Sequence, residues 1–141
     1  MNIDYELKLN NDIKIGWKSN KKDVLRICKE NNIDYISKTY GSIFEISLPI
    51  EFANLGKVIA NIYFVNDLIK KVSISSTDKK DFNILDYQIT DEKLKKYFGP
   101  PKKAKNNNTI WKFNKIKVRH YFLDIDGYPI EYLTLENSFW R

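Results

Sequence analysis

Apolar residues in this chain mostly recur at every second position, the period of a half-buried strand, and only twice at helical spacing. Tyr5, Leu7 and Leu9 alternate with polar residues. Asn10-Asn11-Asp12 supplies turn chemistry and Ile13-Lys14-Ile15 alternates again, which predicts a first hairpin. Val24, Leu25, Ile27 and Cys28 then form one apolar stripe of a helix over residues 21–31, with Ser19 as its expected N-cap and Asn31-Asn32 as its end. A second hairpin follows over residues 35–40 and 43–48, turning at Gly41-Ser42. Residues 49–56 read as a connector. Strands over 57–65 and 68–76 turn at Asn66-Asp67, with Leu68, Val72 and Ile74 expected on the core side.

After a polar stretch at 77–81, a second helix is expected to be capped by Thr90 or Asp91. Leu94, Tyr97 and Phe98 would face inward, Glu92 would pair with Lys96, and Gly99-Pro100-Pro101 would stop it. A polar loop over 102–108 leads into a three-stranded meander over 110–113, 115–123 and 128–136. These elements define an α+β fold, mainly antiparallel sheet with two short helices. The simplest organisation is one domain over residues 1–141, with sub-units 1–76 and 82–141 joined near 77–81.

The two sub-units echo each other. Ile62-Tyr63-Phe64-Val65 and then residues 69–74 correspond to His120-Tyr121-Phe122-Leu123 and then residues 130–135, and each hairpin follows a helix. A tandem duplication of a helix-plus-meander unit explains this order. Any two hairpins share alternation, however, and the hairpin at 35–48 has no expected counterpart in the second sub-unit.

At 141 residues, with 43% hydrophobic and 14% aromatic side chains, the chain has ample material for a core. No basic segment leads into an apolar run at the N-terminus, and no apolar run is long enough to span a membrane, so a cytoplasmic protein is expected. The single cysteine, Cys28, fits that compartment and excludes an internal disulfide. A net charge of +6 invites nucleic acid, but the lysines are spread along the whole chain among 18 acidic residues, as on an ordinary solvated surface.

Catalytic signals are few. His120 is the only histidine and shares its strand phase with Ile116 and Val118, which reads as an inward, hydrogen-bonded residue. Cys28 lies on the apolar helix stripe and reads as core. Asp124 and Asp126 begin like a calcium loop, but Pro129 and Leu135 stand where its glycine and final glutamate belong. Asp126-Gly127 is therefore hairpin-turn chemistry. The five glycines are isolated near turns and form no phosphate loop. Neither a cofactor nor a metal site is expected. The strand from Lys115 is more informative: Lys115, Lys117, Arg119 and Tyr121 fall on one face, a basic row ending in an aromatic. That row suits a solvated face, a protein interface or a phosphate backbone.

The segment Leu94-Lys95-Lys96-Tyr97-Phe98-Gly99-Pro100, followed by Trp111-Lys112-Phe113 and a meander, resembles one unit of the tandem helix-plus-sheet modules of β-lactamase-inhibitor-like proteins. The overall format resembles small bacterial immunity proteins, which neutralise a cognate toxin by covering it. The resemblance covers about half the chain, and the first helix departs from it by ending in Asn31-Asn32 with no Gly-Pro. With the candidate duplication, the missing catalytic set and the aromatic surplus, the expectation is a non-enzymatic binding module whose partner is a protein; the resemblance makes a toxin domain, blocked by steric occlusion, its most concrete form. No family residue is carried over. The expected contact residues are Lys115, Lys117, Arg119, Tyr121 and Trp140. A basic nucleic-acid-binding domain is the alternative, and a small enzyme the second.

Overall fold

The alternating segments become strands in the computed structural model, which describes residues 6–9, 13–76 and 87–137. The expected turn at 10–12, the stretch at 77–81 and Trp140 lie outside the described residues. The elements are β1 (Glu6–Lys8), β2 (Lys14–Gly16), α1 (Lys21–Glu30), β3 (Ile36–Tyr40), β4 (Ile43–Glu51), β5 (Lys57–Val65), β6 (Leu68–Ser76), α2 (Tyr87–Phe98), β7 (Lys103–Ala104), β8 (Asn108–Lys112), β9 (Ile116–Ile125) and β10 (Tyr128–Asn137). The fold is α+β. β1 and β2 form a small ribbon, and the other strands form one eight-stranded antiparallel sheet in the order β3-β4-β5-β6-β10-β9-β8-β7. No helix among the described residues is long and apolar enough to cross a membrane.

Each half runs helix then four strands joined in sequence, and the halves meet through their last strands. β6 pairs with β10 so that Val72 faces Leu135, Ser73 faces Thr134 and Ile74 faces Leu133. The echoed triplets Val72-Ser73-Ile74 and Leu133-Thr134-Leu135 thus pair in reverse order, as antiparallel strands do. The counterpart of the first-half hairpin is β7 with β8, which pair through only Lys103 with Ile110 and Ala104 with Thr109. β7 is too short to leave an alternation signal, so its residues read as loop.

One face of the sheet holds the core. Ile46 and Leu48 from β4, Ala60 and Ile62 from β5, Val72 from β6, Val118 from β9 and Leu133 and Leu135 from β10 join Val24 and Cys28 of α1 and Leu94 of α2 in a single buried cluster. Both helices therefore cover the same face. Burial also pushes the Cys28 thiol up, as expected of a core cysteine.

Several boundaries differ from expectation for local reasons. Asn20, not Ser19, caps α1: its side chain accepts from the Asp23 amide while Asp23 accepts from the Asn20 amide, a reciprocal capping box. β4 runs on through Pro49 to Glu51, beyond Ser47 where pairing with β3 ends, so the missing proline N–H costs that neighbour nothing. In β6 a register shift pairs Tyr63 with Lys71 but Phe64 with Ile69, leaving Lys70 as an extra residue. The shift turns Ile69 inward and leaves Leu68 on the surface, 46% exposed, where strict alternation had placed it in the core. Asn66-Asp67 and Asp126-Gly127 all have positive φ, the conformation of tight hairpin turns.

α2 begins one turn earlier than the capping signal suggested. Thr90 and Asp91 lie inside it and are buried, Tyr97 is half-exposed, and Lys95 approaches Asp91 and Glu92 where Lys96 had been expected to pair.

Candidate functional site

The face of the sheet opposite the helices is uncovered among the described residues, and the register decides what it displays. Lys117, Arg119 and Tyr121 project from β9 onto this face, as alternation predicted. Lys115 instead sits in the β8–β9 turn, just before the strand begins at Ile116. Tyr121 lies directly opposite Tyr132 on β10, and the two rings stack at 5.0 Å between centroids with 17° between planes. On the other flank, Asn108 of β8 lies opposite Tyr121 and accepts a hydrogen bond from Arg119 Nε at 3.1 Å. Drawn toward β8 in this way, the guanidinium packs over the Tyr121 ring at 3.9 Å.

The result is a row, Arg119, Tyr121 and Tyr132, with each member held by its neighbour. Tyr121 has Arg119 on the β8 side and Tyr132 on the β10 side, so neither ring face is free to stack a base. Tyr132 and Asn108 were absent from the sequence reading. Only the strand register places them, and nothing within 115–121 signals it.

A second aromatic cluster occupies the far side of this face. Lys71 Nζ lies 5.0 Å from the Tyr63 ring centroid, and the Tyr40 hydroxyl donates to Glu45, a bond that pushes Tyr40 up to about 12. Between the clusters runs a polar strip: Ser47 donates to Asn61 at 2.7 Å, and Asn61 donates to the Ser73 carbonyl and Ser75 hydroxyl, each at 3.1 Å.

The most concentrated polar chemistry is on the covered face. His120 is fully buried; its Nδ1 lies 2.8 Å from Asp91 Oδ1 and its Nε2 2.6 Å from Glu131 Oε1. Tyr87 stacks on the imidazole at 4.1 Å and donates its hydroxyl to the His120 carbonyl at 3.0 Å. Lys95 Nζ reaches Asp91 Oδ2 at 3.1 Å, completing a set of two acids and two bases. In the first half the corresponding ladder positions are apolar. Ile62 pairs with Val72 as His120 pairs with Leu133, and Ile69 pairs with Phe64 as Glu131 pairs with Phe122. Sequence reading foresaw the inward histidine but neither of its acids: Asp91 looked like a helix cap, and Glu131 was not singled out.

Burial alone lowers the His120 pKa, but the hydrogen bonds and charges of Asp91 and Glu131 outweigh it and leave the value above the ordinary 6.5. Burial raises Asp91, yet hydrogen bonds with His120, Lys95 and Thr109 bring it below the ordinary 3.8. The signs fix a pH window. The histidine contribution to stability is complete below 6.5 and is lost as pH rises through the elevated folded value; the Asp91 contribution is complete above 3.8 and is lost as pH falls through the depressed one. Chemical unfolding across pH should therefore show a plateau between those two ordinary values and a decline on the alkaline side. A rise in stability from neutral to alkaline pH would contradict the charged pairing.

With both ring nitrogens engaged and no exposed surface, His120 has the geometry of an internal tie. Among the described residues no group of three or more His, Cys, Asp or Glu is disposed to hold a metal ion. No protein-family model, curated protein or solved structure matches this chain.

Proposed function

We propose that this chain is a protein-binding module whose contact surface is the uncovered sheet face centred on Arg119, Tyr121 and Tyr132. The observation that carries this reading is the stacked row itself. Tyrosine and arginine contribute most strongly to protein interfaces, and side chains already ordered by their neighbours lose little rotamer freedom on contact. The helices tie down the opposite face, so a partner meets a rigid platform. The saturation of Tyr121 favours a protein over single-stranded nucleic acid, which needs open rings. The immunity-type version, in which the module neutralises a toxin by occluding it, is the most concrete form of the proposal and rests on the sequence resemblance.

The test is affinity capture from lysate of the source organism after nuclease treatment, with wild type beside Tyr121→Ala/Tyr132→Ala. Support is one stoichiometric protein retained by wild type and lost by the variant, with the variant still folded by circular dichroism. Retention by both would place the interface elsewhere. Loss of all captured material on nuclease treatment would favour nucleic acid. If the captured protein is a toxin, its activity should fall in proportion to added module.

A further inference from the structure

At the β7 edge the sheet ends abruptly. Lys103 and Ala104 pair with Ile110 and Thr109, and the Lys102 amide donates to the Ile110 carbonyl at 2.8 Å, but among the described residues no strand pairs with Lys112 on that side. Along an antiparallel strand the backbone groups of alternate residues point to alternate sides. Ile110 points its carbonyl toward β7, and Phe113 donates toward β9, to the Ile116 carbonyl at 2.9 Å. The N–H and C=O of Lys112 therefore point to the β7 side, where no described strand bonds them.

Beside that edge is a cleft of about 350 Å³. Lys102, Lys103, Lys112 and Lys117 line it, together with the apolar Ile110, Phe113 and Ile116. None of the four ammonium groups has an ion pair or hydrogen bond among the described residues. Lys112 and Lys117 stand directly across from each other in the β8–β9 ladder, a like-charge arrangement that weakens a sheet unless an anion lies between. Glu136 is the cross-strand neighbour of Lys117 on β10 but makes no ion pair with it. Phe113 is braced by Phe98, with ring centroids 5.5 Å apart, so the apolar part of the lining is held in place.

We infer that this edge and cleft bind an extended acidic segment of a protein partner, added beside β8 where β7 stops. The segment would bond the outward backbone of Lys112, place carboxylates among the four lysines, and set an apolar side chain against Ile110 and Phe113. A bare inorganic anion would leave the apolar lining and the backbone edge unused. The inference rests on the protein-binding reading above and names the chemistry of the partner; the cleft is continuous with the contact row, because Ile110 and Lys117 lie on the same face as Arg119.

The probe is a short fluorescein-labelled peptide alternating Glu with Leu, titrated into the whole chain by anisotropy. The controls are its Gln counterpart, a single-stranded oligothymidine and inorganic phosphate. Expected are saturable binding of the Glu peptide that weakens with salt, a shift of the Lys112 backbone amide resonance, and a loss of affinity of about tenfold or more in Lys112→Glu/Lys117→Glu. Lys112→Gln/Lys117→Gln relieves the repulsion and should bind less while melting no lower than wild type, which separates lost contact from lost fold. Equal binding of the Gln peptide, or binding of oligothymidine as tight as that of the Glu peptide, would overturn the inference. Failure of the peptide to bind, with partner capture still dependent on Tyr121 and Tyr132, would overturn this inference alone. Peptide binding retained in a chain that captures no protein would sustain the cleft and remove the wider reading.

Discussion

Replacing His120 with isoleucine should destabilise the fold by about 3–5 kcal/mol, the usual cost of stripping one member from a buried ionic set. The substitution copies the first half, where Ile62 holds the same ladder position. It nevertheless leaves Glu131 without its partner in a site from which its side chain has no exposure, and its Oε2 already lacks one. Asp91 fares better, because Lys95 remains 3.1 Å away. The second variant decides the mechanism. His120→Ile/Glu131→Ile installs both apolar residues of the first half, Ile62 and Ile69, and should recover to within about 1 kcal/mol of wild type or exceed it. Urea unfolding of the two variants measures the contrast. A double variant as unstable as the single one would mean that packing around the imidazole, and not the orphaned acid, sets the cost.

Trp111→Ala should cost about 3–5 kcal/mol, the range for truncating a buried large aromatic. Trp111 is only 2% exposed and packs on Phe98 with ring centroids 5.6 Å apart. Its Nε1 donates to the Gly99 carbonyl at 2.9 Å, just past the end of α2, so one side chain ties the helix terminus to β8. Trp111→Phe keeps most of the ring and removes the donor, and should cost about 1–2 kcal/mol, the range for one unmade hydrogen bond plus a small void. Equal losses in the two variants, read by urea unfolding, would show that the hydrogen bond dominates and the packing contributes little.

Much of the fold was legible because alternation is a local signal. β5, β9 and β10 announce themselves residue by residue, and so do the turns at Asn66-Asp67 and Asp126-Gly127. Failures cluster where the deciding interaction is not local. Leu68 read as core until the register shift at Lys70 exchanged it with Ile69. Asp91 fits the composition of a helix cap, and only the approach of β9 makes it the partner of His120. β7 has two residues, too few for any period, yet its abrupt end leaves the edge of Lys112 open.

The contact row divides in the same way. Lys117, Arg119 and Tyr121 share a face because side chains alternate along one strand, and one strand is enough to show it. Tyr132 and Asn108 join them only through pairing with β10 and β8, from positions far along the chain.

By itself, then, the sequence determined the α+β class, most of the longer strands, the turns at Asn66-Asp67 and Asp126-Gly127, the inward phase of His120 and the basic phase of β9, since each depends on neighbours within a few residues. The tertiary structure decided the central pairing of β6 with β10, the acids that hold His120, the stacking that saturates Tyr121 and the vacant edge beside Lys112. Those depend on register, and register is settled by which distant strands pack best, a choice that no single segment encodes.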